Sequence, residues 1–268
     1  MKFSFHTCGL EWLPFEEVVN QLADLGYAAC GPIVGPDCHL DPDTLNNSQK
    51  EAYKNLVEAR NMEFSILNPW KVGGFAAGVE SGATRDFYHK ALDLAAEIGA
   101  SGVKFLPGGF ASGEAAGWKA MVQILRPLCY HAEQVGVDLL MHNHENHLID
   151  TANGFALLRR HLGSEQLQIN LDCANLAILM DDPCHAIRNF KDNLRHIRVK
   201  GMSNYYPFAQ QCVPGSPGDI VDWRTVFEAL VEIDYTGFVE LVTYDWFPPD
   251  YSRFSIEWAT ALADEVGA

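Results

Sequence analysis

One sequence phrase recurs along nearly the whole chain and constrains the fold more than any other feature. An amphipathic helical stretch ends at glycine or asparagine, and a short apolar run that closes with polar residues follows within a few positions. Glycine just beyond a helix supplies the left-handed conformation that stops it. Gly26, Asn61, Gly99, Gly136 and Gly163 stand at this place. The repeat predicts strands that alternate with helices, and therefore parallel strand pairing.

Counted with an N-terminal strand, the phrase gives eight strand and helix units. Eight units favour an α/β chain folded as a closed (β/α)8 TIM barrel, one domain over residues 1–268. A doubly wound sheet is the alternative, but its GxGxxG phosphate fingerprint is absent after the first strand. We expect strands at 3–7, 27–30, 62–67, 102–106, 137–141, 167–171, 196–200 and 237–242. We expect helices near 15–25, 44–60, 83–98, 115–135, 152–162, 183–192, 223–233 and 252–266.

Charge and cysteine content limit the partners and the compartment. The chain has 35 acidic and 19 basic residues, a formal net charge of −16, and such a surface is repelled by the phosphates of nucleic acid. The seven cysteines include no CxxC pair, which predicts reduced thiols. The first residues have no signal-peptide pattern, and no apolar run is long enough to span a bilayer. We expect a cytoplasmic protein with neither nucleic acid nor membrane as partner.

Strand ends and the loops after them supply the reacting groups of such barrels. Here those places carry histidines, carboxylates and basic side chains. They are His6, Lys104, His142, His144, Glu145, Asp172, His196, Arg198, Lys200 and Glu240. Strand alternation places His142 and His144 on one face, and it also places His196, Arg198 and Lys200 together. Both sets are predicted to face one space.

Two of these carboxylates and one imidazole are candidate metal ligands. Asp172 and Glu240 each follow apolar residues of a parallel strand, and a buried carboxylate needs a cation. With His142 they would suit Mn²⁺, Co²⁺ or Zn²⁺, and an oxygen-rich set would suit Mg²⁺. Each residue taken alone is also compatible with a solvated strand end or a structural ion pair.

Four residues are candidates for binding the substrate, namely His6, Lys104, Lys200 and Trp70. Each also has a structural interpretation. The lysines can extend their stems along apolar surface while their charges reach water. His6 can be a hydrogen-bonded core histidine, and Trp70 can pack at the core or the rim instead of against a sugar.

Short motifs spread over nearly the whole chain carry a family resemblance. They are Leu25-Gly26-Tyr27, Gly102-Val103-Lys104, His142-Asn143-His144, Leu171-Asp172, His196-Ile197-Arg198-Val199-Lys200, Pro214-Gly215, Gly218-Asp219-Ile220-Val221-Asp222-Trp223 and Val239-Glu240. With them the chain resembles the xylose isomerase-like TIM barrels, the sugar phosphate isomerase/epimerase superfamily. That superfamily includes inosose dehydratases, ketose 3-epimerases and endonuclease IV. Dimers and tetramers are common in resembling proteins, so a homodimer or homotetramer is an expected assembly.

The resemblance implies a metal set of Glu, Asp, His and Glu on the fifth to eighth strands. Asp172 and Glu240 match the sixth and eighth positions, and His142 stands at the fifth, with Glu145 further along. At the seventh position the expected His is replaced by Arg198, which stays protonated and cannot ligate a metal. Cys30-Gly31 replaces the Glu that often closes the second strand.

The preferred hypothesis is a metal-dependent isomerase or epimerase that acts on a ketose or related sugar or polyol. A proton would be abstracted next to a carbonyl group while the metal polarises it. The base would be Glu240, or Glu145 with His144. Lys104 or Arg198 would bind the substrate's oxygens or a phosphate on it.

Two further functions stay open. A lyase or dehydratase acting on a keto-sugar or keto-inositol shares the first proton abstraction and needs an acid for the leaving group, which His144 could supply. A sugar-binding barrel without catalysis is the third hypothesis, and its main support is Arg198 at the place of a metal ligand.

Overall fold

A computed structural model describes residues 1–70, 81–109, 113–242 and 250–268. No helix in these ranges is long and apolar enough to cross a membrane. The strands are β1 Lys2–His6, β2 Ala29–Gly31, β3 Ile33–Val34, β4 Glu63–Phe64, β5 Ile66–Pro69, β6 Gly102–Phe105, β7 Asp138–His142, β8 Leu167–Asp172, β9 Leu194–Val199, β10 Gly201–Ser203, β11 Gln210–Cys212 and β12 Phe238–Val242. The helices are α1 Phe15–Asp24, α2 Asn47–Ala59, α3 Ser81–Ile98, α4 Glu114–Val135, α5 Ala152–Leu162, α6 Cys173–Ile178, α7 Pro183–Asn189, α8 Trp223–Glu232 and α9 Tyr251–Val266, with a 3₁₀ turn at Thr7–Leu10.

Ten of the strands form one parallel sheet that closes on itself. Its order is β3-β5-β6-β7-β8-β9-β12-β1-β2-β4. The second barrel strand is divided into β2 and β3 around Pro32, which has no N–H to donate, and the third is divided into β4 and β5. Since β2 pairs with β4 and β3 pairs with β5, the two ends of the order meet. The predicted (β/α)8 TIM-barrel fold is confirmed.

Two elements were not expected from the sequence. Helix α6 follows β8 without a loop, because Asp172 ends the strand and also caps the helix: its Oδ1 accepts the Asn175 N–H at 2.8 Å. Six residues are too few to show a helical period. Strands β10 and β11 form an antiparallel hairpin between the strand predicted at 196–200 and the helix predicted near 223–233, where no strand was expected.

Alternation along the strands separates an apolar layer from a polar interior. Val103, Phe105, Ile197, Val199 and Leu241 belong to the hydrophobic core that the helices cover. The residues between them point the other way, into the barrel. They include charged and amide side chains that are also buried. The interior at the carboxyl ends of the strands is therefore polar and buried.

Asp219 holds together the long connection between β9 and α8. Its Oδ1 accepts the backbone N–H groups of Met202 and Val221, both at 3.1 Å. Its Oδ2 accepts the Gly215 N–H at 2.9 Å and the Trp223 indole N–H at 2.7 Å. One carboxylate thus joins β10, the turn before α8 and the first residue of α8.

We expect Asp219→Ala to lower the free energy of unfolding by about 3 kcal/mol, because several backbone donors lose a charged acceptor. Chemical denaturation measures the change, and hydrogen exchange should show it concentrated in residues 201–223. Asp192→Ala, at an exposed aspartate, is the matched control and should shift stability by less than about 0.5 kcal/mol. Equal effects for both variants would contradict a structural role for Asp219.

Candidate active site

Nine side chains from seven strands of the barrel meet at the carboxyl ends of the strands, and each residue is at most 5% exposed. We call this set the buried polar group. It consists of His6, Asn68, Lys104, His142, Asp172, His196, Arg198, Lys200 and Glu240. Most of the residues proposed from the sequence therefore lie in one region of the structure.

Arg198 stands between the two carboxylates. In the register of the sheet it is level with Asp172 on one neighbouring strand and with Glu240 on the other. Its Nε lies 3.7 Å from Asp172 Oδ2. All three positions share one level, and the charge of Arg198 lowers the pKa of His6, Lys104, His142 and His196 across the group.

Hydrogen bonds fix Asp172 on its backbone and on one oxygen. Asn143 accepts the Asp172 N–H at 2.8 Å and donates to its carbonyl at 3.1 Å. Oδ1 is used in capping α6. Oδ2 is left facing three nitrogens, Lys200 Nζ at 3.3 Å, Arg198 Nε at 3.7 Å and His142 Nε2 at 3.8 Å. Asp172 therefore contacts the backbone of α6 through Oδ1 and the cationic side chains of Lys200 and Arg198 through Oδ2.

Glu240 is buried completely and is held from one side. Its Oε1 accepts a hydrogen bond from Asn68 Nδ2 at 3.1 Å, and His196 Nε2 lies 4.0 Å away. Within the described residues its Oε2 has no hydrogen-bond partner. A Cβ at Gly31 would collide with Oε1 and come within 2.8 Å of Asn68 Nδ2. Gly31, where the family resemblance implies a Glu, therefore leaves the room that Glu240 occupies.

Burial and the fixed charge of Arg198 set the protonation of the group. Burial lowers the pKa of His6 and His142 well below the usual value, and Arg198 lowers both further. The same causes lower the pKa of His196 to about 3 and that of Lys104 to about 7. Burial raises the pKa of Glu240, although Arg198 and Lys104 oppose this. The imidazoles of His6, His142 and His196 are therefore neutral at neutral pH, and Lys104 is able to exchange its proton there.

The remaining predicted residues lie at the rim. The side chain of His144 is 35% exposed and that of Glu145 is 22% exposed, and they pair with each other at 3.0 Å. His144 also stacks on His147, with ring centroids 4.8 Å apart. Trp70 meets His6 edge to face at 5.8 Å. These residues border the buried polar group. In the described part of the chain, none of them forms an ion pair with Asp172.

Several residues that organise the site were not proposed from the sequence. Asn68 holds Glu240, Asn143 holds Asp172, and Asn175 accepts a hydrogen bond from Lys200 Nζ at 2.7 Å. Asn170 lies 3.2 Å from His196 Nδ1. The only sequence signal for these residues was an amide side chain directly after an apolar run. Because the amide carries no charge, that pattern could not be distinguished from an ordinary strand end.

A divalent metal does not fit the donor set of the buried polar group. The described residues contain no group of three or more His, Cys, Asp or Glu side chains that could hold a metal ion, so His142, Asp172 and Glu240 do not form the expected ligand set there. Two like unit charges about 4 Å apart repel each other by about 4 kcal/mol at an effective dielectric constant of 20. Asp172 Oδ2 already faces Lys200 and Arg198. A divalent ion beside that oxygen would be repelled by both.

Comparison with known proteins agrees with the barrel fold. The family described as xylose isomerase-like TIM barrel matches residues 19–262. The chain belongs to this family. Fructoselysine 3-epimerase of Escherichia coli O157:H7 is 24% identical to this xylose isomerase-like barrel over 282 residues, which cover 99% of each chain. Inosose dehydratase of Lacticaseibacillus casei is 23% identical over 248 residues, 84% of this chain and 80% of the relative.

Among solved structures, 3-keto-D-glucoside 4-epimerase from E. coli superposes on this xylose isomerase-like barrel with a TM-score of 0.79 at 17% identity. The match covers 97% of this chain and 99% of the other. At that identity the likeness concerns the fold. Epimerases and a dehydratase among the relatives indicate a sugar-modifying enzyme.

We expect Gly31→Ala to reduce activity about 100-fold, since displacement of a reacting carboxylate by about 1 Å costs this much. The melting temperature of Gly31→Ala should stay close to that of wild type. Gly82→Ala is the control, because a Cβ there meets nothing within 4 Å. Full activity in Gly31→Ala would contradict the assignment of Glu240 to the reacting position.

We expect the His196 imidazole to remain neutral from pH 8 to pH 5, since burial and Arg198 lower its pKa to about 3. Histidine ¹⁵N chemical shifts measure this, with His196→Gln for assignment and a histidine peptide, which titrates near 6.5, as reference. Because the unfolded chain binds protons more readily below that value, stability should fall as the pH decreases. A midpoint for His196 near 6.5 would show that the site is open to water.

Proposed function

We propose that the protein is a sugar isomerase or epimerase that removes a proton from the carbon next to the carbonyl of a ketose or related sugar or polyol. The observation that carries the proposal is Glu240, a fully buried carboxylate level with Arg198 on the neighbouring strand, with one oxygen that has no hydrogen-bond partner among the described residues. Burial raises the pKa of Glu240. A carboxylate of raised pKa is a stronger base and is suited to removing a weakly acidic C–H proton.

A second proton-transfer group supports epimerisation in particular. An epimerase removes a proton from one face of a carbon and returns one to the other face. His142 on β7 and Glu240 on β12 lie on opposite sides of Arg198 in the strand order. His142 Nδ1 has no hydrogen-bond partner among the described residues, and its pKa is lowered, so it is a neutral imidazole. We assign to Glu240 and His142 the two proton-transfer roles: the neutral imidazole accepts the proton in one direction of the reaction and, once protonated, returns it in the other.

The other predicted residues take binding roles in this proposal. Lys104 and Arg198 would hold the carbonyl oxygen and its neighbouring hydroxyl, because both point into the buried polar group. His6 and Trp70 would form one wall of the sugar site. Lys200 is already bound to Asn175 and Asp172, so it acts on the substrate through the position of Asp172. Glu145 with His144 is the alternative base, placed at the rim.

A dehydratase is the second candidate, favoured by the similarity to inosose dehydratase. Elimination begins with the same proton abstraction and then expels a hydroxyl group from the next carbon. His144 is the candidate acid for that step. Location in the cytoplasm and assembly as a dimer or tetramer stay predictions. The proposal gives no role to the predicted Mn²⁺, Co²⁺, Mg²⁺ or Zn²⁺, because the cations beside Asp172 do not fit a divalent ion.

The proposal is tested by incubating the protein with D-fructose, D-tagatose, D-psicose and 2-keto-myo-inositol in D₂O. We expect NMR to show deuterium at the carbon next to the carbonyl, and Glu240→Gln to slow its appearance at least about 1000-fold, within the range of a lost general base. Glu58→Gln, at an exposed glutamate, should exchange at the wild-type rate.

The products separate the two candidates. A deuterated epimer or isomer supports the first, and a deoxy or enone product supports the dehydratase. Binding of these sugars without any exchange would contradict both and favour the sugar-binding barrel.

A further inference from the structure

A fixed positive charge occupies the place where the family resemblance implies a metal ligand. Arg198 is level with Asp172 and Glu240, is 3% exposed, and lies with its Nε 3.7 Å from Asp172 Oδ2. Arginine keeps its proton in proteins. The Arg198 side chain therefore has no lone pair with which to bind a metal. It places a permanent positive charge among the residues of the buried polar group.

The surrounding charges show that this is not a damaged metal site. Two cations, Arg198 and Lys200, and a lysine whose pKa is lowered to about 7, Lys104, stand among two carboxylates, Asp172 and Glu240. Lys200 is fixed by Asn175 and Asp172, and Lys104 Nζ lies 3.3 Å from His6 Nε2. A site that had merely lost a ligand would leave carboxylates without cations. Here the cations are provided by the protein and are held in place.

We propose that Arg198 stabilises the enediolate oxygen of the substrate, and that the protein carries out its proton transfer without a bound divalent metal. This inference rests on the proposed function and adds to it the identity of the electrophile. The planar guanidinium offers parallel N–H donors that match two adjacent oxygens, as in its bidentate pairing with carboxylates. A carbonyl and its neighbouring hydroxyl present such a pair of oxygens.

The step balances without a further reactant. The C–H bond next to the carbonyl breaks, and its proton goes to the Glu240 carboxylate. The electron pair of that bond forms the C=C bond, and the π pair of the carbonyl becomes a lone pair on its oxygen, beside Arg198. Return of a proton from protonated His142 to the other face of the same carbon re-forms the carbonyl and gives the epimer. For the isomer, Glu240 returns its proton to the former carbonyl carbon, while the neighbouring hydroxyl passes its proton to the former carbonyl oxygen and becomes the new carbonyl. No electrons enter or leave.

The first test measures metal binding by the purified protein, without a substrate. After chelation and dialysis against Mn²⁺, wild type should contain no bound Mn²⁺ and should melt at an unchanged temperature. Arg198→His supplies the ligand that the family pattern has at this position, and we expect it to bind Mn²⁺ and to melt at a higher temperature in its presence. Arg198→Met, which supplies neither charge nor ligand, is the matched control and should bind none.

The second test uses oxalate, a planar dianion with two adjacent oxygens that resembles an enediolate. Isothermal titration in the presence of EDTA should show oxalate binding to wild type. Arg198→Met should weaken it at least about tenfold, as expected for loss of a charge-assisted bidentate contact. Arg198→His should bind oxalate only when Mn²⁺ is added.

Each outcome decides the inference. Stoichiometric Mn²⁺ in wild type, oxalate binding that requires Mn²⁺, or equal oxalate affinity of wild type and Arg198→Met would each overturn it. Circular dichroism identifies a variant that fails to fold, and the wild-type arms remain decisive in that case. The deuterium assay separates the two proposals: exchange by wild type that EDTA abolishes refutes this inference alone, whereas absence of exchange with or without Mn²⁺ refutes the proposed function.

Discussion

The buried contact between Asp172 and its two cations is the interaction on which the rest of the site depends. An unpaired carboxylate or guanidinium inside a barrel would carry a large desolvation cost. Asp172 Oδ2 lies within 3.7 Å of both Lys200 Nζ and Arg198 Nε, so each charge makes the burial of the others acceptable. The interior can then be both buried and polar. Burial in turn lowers the pKa of His6, His142 and His196 and raises the pKa of Glu240.

The barrel could be predicted from the sequence because its signal is repeated. Helix stops at glycines such as Gly136 and Gly163, both in the left-handed conformation, recur with the apolar runs that follow them. An error in one unit does not change the count of eight. Helix α6 and the hairpin of β10 and β11 were missed because each occurs once. Their causes, a cap at Asp172 and polar pairing at Gln210–Cys212, leave no periodic trace.

Which residues share the site could also be inferred, because strand alternation alone brings Arg198, Lys200 and His196 to one face. Their chemistry could not. Whether a carboxylate faces a metal or a guanidinium depends on distances of a few ångströms. The importance of Gly31 could not be read from sequence either, since a missing side chain matters only when its neighbour, Glu240, is known.

Asp172 has a further consequence for how this barrel tolerates change. One of its oxygens caps α6 and the other faces Lys200 and Arg198, so a single side chain serves backbone folding and site electrostatics at once. A substitution there removes a helix cap and leaves two cations without their counter-ion in the same event. Asn, the nearest isostere, can keep the cap with its oxygen only by turning an amide donor toward the cations. Redesign of the site at the junction of β8 and α6 therefore has to replace Lys200 and Arg198 first. Only then can the carboxylate of Asp172 be altered.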